Sequence, residues 1–225
     1  MKILAIDAAT EACSVALKMG DEVISQFEVA PQQHSQKLLP FVDEILAQGG
    51  IKLSQLDAIA FGRGPGSFTG VRIGVAVTQG LAFGADLPVV GISNLAAMAQ
   101  QAIVQEQAKQ VVSAIDARMS EVYFAIYNND NGVAKLASKE IVRKPELLES
   151  ADLADAVSVG TGWQTYESVL CERFACTKSE IVLPSAEFML PLAEIELAAG
   201  NGVSAEQAQP NYVRDEVSWQ KLPGR

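Results

Sequence analysis

Three short β-rich runs open the chain. Lys2–Asp7 (KILAID), Cys13–Met19 (CSVALKM) and Glu22–Val29 (EVISQFEV) are separated by small or polar turns, of which Gly20-Asp21 is the plainest, and they predict a three-stranded meander. The spacing then changes. In HSQKLLPFVDEILAQGG, Leu38, Phe41, Val42 and Ile45 fall at i, i+3, i+4 and i+7, which predicts an amphipathic helix stopped by Gly49-Gly50. Pro40 cannot donate to the preceding turn and is expected to bend this helix or leave its first turn irregular. A strand at Leu56–Gly62, the loop GRGPGSFTG at Gly62–Gly70, a helix from about Val71 to Gly84 and a strand in PVVGIS follow.

The order returns more loosely in the second half. QVVSAID at Gln110–Asp116, EVYFAIYN at Glu121–Asn128 and VAKLASKEIV at Val133–Val142 read as a second meander, with Asn131-Gly132 as a hairpin turn. The tripeptide AID recurs at Ala5–Asp7 and Ala114–Asp116. A helical segment around Pro145–Leu153, a strand at Ala156–Trp163 and helices through Tyr166–Phe174 and Phe188–Gly200 complete the repeat. Each half is βββαβα, so the expected fold is a two-lobed α/β protein, with lobes at 1–105 and 106–225 and a final segment able to pack back on the first lobe. Such a duplicated unit resembles the actin-like, sugar-kinase and Hsp70-like architecture, in which a nucleotide sits in the cleft.

The glycine loop and the helix after it are the most informative segments. The loop lacks the GK[ST] ending of a P-loop, so no lysine reaches a phosphate. It nevertheless joins a strand to a helix, and its amides could hold an anion without charged side chains. Its nine residues also exceed what a simple strand-to-helix turn needs. In the duplicated architecture the first strand turn carries an aspartate; here that turn is Asp7-Ala8-Ala9-Thr10, and its counterpart is Asp116-Ala117-Arg118-Met119. Both are bulkier than a close approach to phosphate favours. Asp7, Thr10, Gly64, Gly66 and Ser67 are the candidate nucleotide or anion set, with Asp7 equally readable as a strand-end turn residue. The helix VRIGVAVTQGLAFG is apolar on nearly every face, so it must be covered nearly all round, by this chain or by another. Gly74, Gly80 and Gly84 each disfavour helix by about 1 kcal/mol relative to alanine, which close approach of another backbone would explain.

Charge and composition narrow the chemistry. Among 225 residues, 27 acidic against 17 basic side chains give a formal charge of −10, which withholds the counterion-release term that drives nucleic-acid binding. His34 is the only histidine, so no histidine-based zinc site and no metalloprotease motif is present. Ser67 is not in a GxSxG elbow, because Pro65 and Thr69 occupy the glycine positions. Cys13, Cys171 and Cys176 form no CxxC and read as buried or bystander thiols. The N-terminal apolar run is broken at Asp7 and reads as no signal peptide. A cytoplasmic location with no membrane association is expected. The tail PNYVRDEVSWQKLPGR mixes aromatic, basic and acidic residues and reads as a docking strand or partner-contacting tail.

The segments IDAATEACSVAL, HSQKLLP, GRGPGSFTGVRIG, IDARMSEVYFA, VGTGW and the closing YVR…KLPGR together resemble the bacterial TsaB (YeaZ) family. That resemblance implies a non-catalytic subunit of the machine that makes N6-threonylcarbamoyladenosine at position 37 of tRNA. The catalytic paralogue TsaD would transfer the threonylcarbamoyl group from threonylcarbamoyl-AMP, with TsaE as an ATPase partner. It implies pairing with TsaD through the helices flanking the glycine loop, which maps here onto His34, Leu38, Phe41, Val42, Ile73, Val77, Gly80, Leu81 and Gly84, and a homodimer through the same surface when the chain is alone. tRNA would be reached only through the complex. The paired-histidine metal motif of the paralogue is represented here by His34 followed by Ser35, Gln36, Lys37 and Leu38, so no metal and no catalytic residue is assigned. No cofactor is required, and weak nucleotide binding is the most the cleft is expected to offer. The rival reading is an independent nucleotide-dependent phosphotransferase or ATPase of the sugar-kinase type.

Overall fold

The computed structural model of the chain describes residues 1–153 and 155–213. The first half builds the antiparallel meander β1 (Lys2–Asp7), β2 (Ala12–Met19) and β3 (Glu22–Val29), then α1 (His34–Gln48), β4 (Ala58–Gly64), α2 (Phe68–Ala85), β5 (Val89–Ser93) and α3 (Asn94–Glu106). The second half builds β6 (Gln110–Arg118), β7 (Glu121–Asp130), β8 (Val133–Leu136), β9 (Ile141–Arg143), β10 (Ala156–Val159), α4 (Gly162–Thr165), α5 (Glu167–Arg173), β11 (Thr177–Lys178) and α6 (Leu190–Ala198). The two sheets run β3-β2-β1-β4-β5 and β8-β7-β6-β10-β11, the same order of strands within each half, with β9 paired to β7 off that path. The fold is therefore a duplicated, two-lobed α/β architecture.

Alternation along β1 shows how the layers form. Leu4 and Ile6 point to the side covered by α1 and α2, while Ile3 and Ala5 join the core containing α3 and α6. A strand covered on both faces reads as a nearly continuous apolar run, as KILAID does. Helix α3 lies between the sheets and shares its core with Val111, Ile115, Ala125 and Tyr127 of β6 and β7. On the far side of the second sheet, Val112, Ala114, Val122 and Phe124 pack on Trp163, Leu170 and Phe174. The halves are also tied across the sequence. The segment Ala186–Ala198 shares the inner core of the first sheet, with the Ala186 amide donating to Ser14 Oγ at 2.9 Å and Lys18 pairing with Glu194 at 2.7 Å.

Several expectations are corrected. Helix α1 is unbroken through Pro40, which lies on the exposed face. The run 133–142 divides into β8 and β9, which pair with different stretches of β7. Between those stretches the Ser138 hydroxyl accepts from the Ile126 amide at 2.9 Å and replaces a ladder bond. The helix expected around 145–153 shrinks to a single 3₁₀ turn, Pro145–Leu147. Leu147 is exposed and Leu148 buried, so the segment presents no apolar stripe to hold a longer helix. Among the described residues no helix is long and apolar enough to cross a membrane.

Candidate functional site

Strand β4 runs through Gly64 and α2 begins at Phe68. The connection is only Pro65–Ser67, so the nine-residue loop read from sequence is mostly strand end and first helical turn. Ser67 is the N-cap, its hydroxyl accepting from the Gly70 amide at 3.4 Å. The glycines there serve a close internal approach. A Cβ on Gly66 would run into the Ala9 carbonyl and one on Gly70 into the Ala8 carbonyl, so the turn after β1 is clamped against the start of α2. The Ser67 amide closes the clamp by donating to the Ala9 oxygen at 2.6 Å.

Behind that clamp lies Asp7. It is fully buried, and its Oδ1 accepts from Asn94 Nδ2 at 2.7 Å and from the Ala9 amide at 3.3 Å. Asn94 Oδ1 in turn accepts from the Gly64 amide at 2.9 Å. Asn94 therefore braces the ends of β1 and β4 against α3. The one local sign of this role in the sequence is its place directly after the N-cap Ser93, at a strand-to-helix junction. Burial pushes the Asp7 carboxyl up to about 6, against the lowering effect of hydrogen bonds from Asn94, Ala9 and Ala8. Its Oδ2 has no hydrogen-bond partner. A carboxyl raised in the folded state favours folding while protonated, so its contribution is lost as pH rises from about 4 to about 6. Asp7→Asn keeps the acceptor and removes the buried charge. It is expected to raise the unfolding temperature at pH 7 and to have little effect at pH 4; chemical denaturation across that range checks the slope.

In front of the clamp, the two halves enclose a cleft of about 1260 Å³. Thr10, Gly66 and Ser67 line it, whereas Asp7 and Gly64 do not. The candidate anion set is thus split by the wall of the cleft. The amides of Gly64, Ser67 and Gly70 are already engaged by Asn94, Ala9 and Ser67, which leaves those three unavailable to cradle an anion. From the second half, Asp116 and Arg118 face the cleft. Arg118 adopts a positive φ of 62° and reaches Asp116 at 3.4 Å and Glu11 at 3.7 Å, linking the two strand turns. At the mouth, the Arg72 guanidinium carbon lies 3.5 Å from the Phe68 ring centroid, and Arg72 Nε donates to the Tyr212 hydroxyl at 2.9 Å. Tyr212 thereby fixes the beginning of the tail beside the cleft; the tail from 214 onward lies outside the described residues.

The expected partner surface separates by helix. His34, Leu38, Phe41 and Val42 are buried against the first sheet, and His34 Nε2 sits 3.2 Å from the Ala12 carbonyl oxygen. They lie inside this chain and not on its surface, where the resemblance maps them: the i, i+3, i+4 stripe of Leu38, Phe41 and Val42 is the one this helix turns inward. Helix α2 differs. It buries Val71, Gly74, Val75, Thr78 and Ala82, while Ile73, Val77 and Leu81 are only half covered and Ala76, Gly80, Phe83 and Gly84 are exposed. Phe83 is 73% exposed. A Cβ on Gly80 or Gly84 would meet nothing within 4 Å. Arg72 is the one charged side chain in the 18 residues.

A protein-family model described as "TsaD: tRNA N6-adenosine threonylcarbamoyltransferase" matches residues 20–218. The "tRNA threonylcarbamoyladenosine biosynthesis protein TsaB" of Escherichia coli (strain K12) is 48% identical over the whole of both chains. The chain belongs to the TsaB family. The TsaB of Haemophilus influenzae is 47% identical over 100% of this chain and 98% of its own. Among solved structures, YeaZ from Pseudomonas aeruginosa superposes with a TM-score of 0.89 at 47% identity, covering 94% of this chain and 99% of that one. Membership of the TsaB family agrees with the duplicated sheets and with the resemblance carried by the glycine segment.

Proposed function

We propose that this chain acts in the cytoplasm as a non-catalytic subunit required for tRNA N6-threonylcarbamoyladenosine formation. It binds and supports TsaD while TsaD transfers the threonylcarbamoyl group from threonylcarbamoyl-AMP to adenosine 37, with TsaE as a third component. The observation that carries the reading is the outer face of α2 on a chain 48% identical, end to end, to a TsaB. Half-covered Ile73, Val77 and Leu81 adjoin Gly80 and Gly84, which no neighbour inside the chain requires. An exposed helix that keeps two destabilising glycines in open space has a reason for them if another backbone packs there. The same face supports a homodimer when TsaD is absent, since an apolar face of this kind favours burial.

The cleft supports weak nucleotide binding at most and no required cofactor. With Asp7 buried behind the wall, Asp116 is the aspartate of the two strand turns that faces it. tRNA is engaged through the complex, consistent with the charge of −10. The test is reconstitution of threonylcarbamoyl transfer with TsaD and TsaE, with and without this chain. Activity that collapses on omission supports the proposal, and undiminished activity overturns it. Tight ATP binding by the isolated chain, abolished by Asp116→Ala, would instead favour the phosphotransferase reading.

A further inference from the structure

A second pocket, of about 590 Å³, lies between β5, the β7–β8 hairpin and α6 and shares no lining residue with the interlobe cleft. One side is aliphatic, formed by Ile92, Val133, Leu192 and Ile195. The other is polar and built from buried parts. Tyr127 is buried, its hydroxyl donating to Glu140 Oε1 at 2.8 Å and lying 3.5 Å from Ser93 Oγ. Arg63 enters from the end of β4 with its stem across Gly91, where a Cβ would stand 3.1 Å from Arg63 Cβ and 3.3 Å from its Cδ. Gly91 thus clears the path of the arginine.

Arg63 is the unusual member. Its Nε is buried with no hydrogen-bond partner, and among the described residues its guanidinium forms no ion pair. The other charges of the pocket are engaged: Lys135 with Asp130 at 3.1 Å, Glu196 with Asn201 Nδ2 at 2.6 Å, and Glu140 with Tyr127. Burial pushes the Tyr127 hydroxyl well above its usual range; Glu140 adds to this and Arg63 opposes it. Both charges therefore act at the same hydroxyl.

We propose that this pocket binds a small aliphatic zwitterion of amino-acid or dipeptide size. Its carboxylate docks on Arg63, its ammonium faces Glu140, and its aliphatic body lies against Ile92, Leu192 and Ile195. A guanidinium that lines the pocket without an ion pair gains most from a planar carboxylate, which can meet its terminal nitrogens. A simple anion fits less well, because Asp130, Glu140 and Glu196 outnumber Arg63 and Lys135 in the lining; the ammonium removes that conflict. A purely apolar ligand leaves the arginine unpaired. The volume falls in the range of small-ligand sites.

The test is titration of the full chain with L-leucine, the dipeptide Leu-Leu, 4-methylpentanoate and isopentylamine, followed by amide chemical shifts and calorimetry. Saturable binding of leucine or the dipeptide is expected, with shifts at Gly91, Ser93 and Ala134. The tighter of the two identifies the source of the zwitterion. The two singly charged analogues should bind at least about tenfold more weakly, a difference of about 1.4 kcal/mol. Arg63→Gln should weaken the zwitterion by at least about tenfold, and so should Ile195→Ser, whose site is 47% exposed and tolerates the change without loss of fold. No saturable binding of either zwitterion up to about 10 mM overturns the proposal. Equal binding of 4-methylpentanoate does so too, as does unchanged affinity in a folded Ile195→Ser variant.

Discussion

Gly80→Arg is expected to weaken the proposed complex with TsaD by about 100-fold or more, equivalent to about 2.7 kcal/mol, while leaving the isolated chain at least as stable as the parent. The position is exposed and a side chain there meets nothing within 4 Å, so the fold has no objection to arginine. A helix partner seated on this face would have to bury an unpaired guanidinium or move away, and either costs several kcal/mol. Leu81→Glu should have the same effect on binding with a modest loss of stability, because Leu81 also packs partly on the internal core. Size-exclusion chromatography with TsaD and a thermal melt of the chain alone separate the two effects. The proposed homodimer should dissociate in parallel. Complexes that survive both substitutions would move the interface off α2.

Ten residues earlier on the same helix the sign reverses. Gly70→Ala brings a methyl group against the Ala8 carbonyl, a backbone atom that cannot swing away. It is expected to cost about 3 kcal/mol, the upper end for overpacking a filled site, and so to lower the unfolding temperature by on the order of 10 °C in a chain of this size. Gly80→Ala, by contrast, should stabilise the isolated chain by up to about 1 kcal/mol through helix propensity alone. Measured side by side by calorimetry, the pair distinguishes a glycine required by the fold from one it merely tolerates. Equal effects would mean that the clamp between β1 and α2 is looser than the geometry indicates.

The contrast also marks what a sequence can and cannot convey. The meander KILAID, CSVALKM and EVISQFEV is legible because each run is rich in β-forming residues and bounded by turn residues, and the strands fall within a residue of those runs. The inward stripe of α1 was legible too, but periodicity names a buried face without naming what buries it. The family resemblance maps His34, Leu38, Phe41 and Val42 onto a partner surface, yet all four are buried within this chain, the last three against the first sheet. The glycine segment reads as a long loop because glycine favours irregular backbone. Here the residues sit in a strand end and a helix start, and glycine is needed for approach to the turn after β1. Asn94, Arg63 and Tyr212 left almost no trace in the local pattern. Asn94 acts on Asp7 and Tyr212 on Arg72 across long separations, Arg63 gains its setting from Gly91 on the neighbouring strand, and one polar residue in a strand, helix or tail does not announce such a contact.

The helical segment Ala186–Ala198 also constrains the order in which the chain can complete itself. Ser14 on β2 receives its hydrogen bond from Ala186, 172 positions later, and the inner face of the first sheet shares its core with Met189, Leu190 and Ala193. While the chain is being synthesised, the N-terminal half emerges long before that cover exists. Its inner apolar surface must wait for a segment 172 positions further along the chain, a nonlocal closure of the kind that slows folding and exposes intermediates to aggregation. A fragment ending at residue 185 should consequently be recovered as aggregate where the full chain folds, although it retains every strand of both sheets.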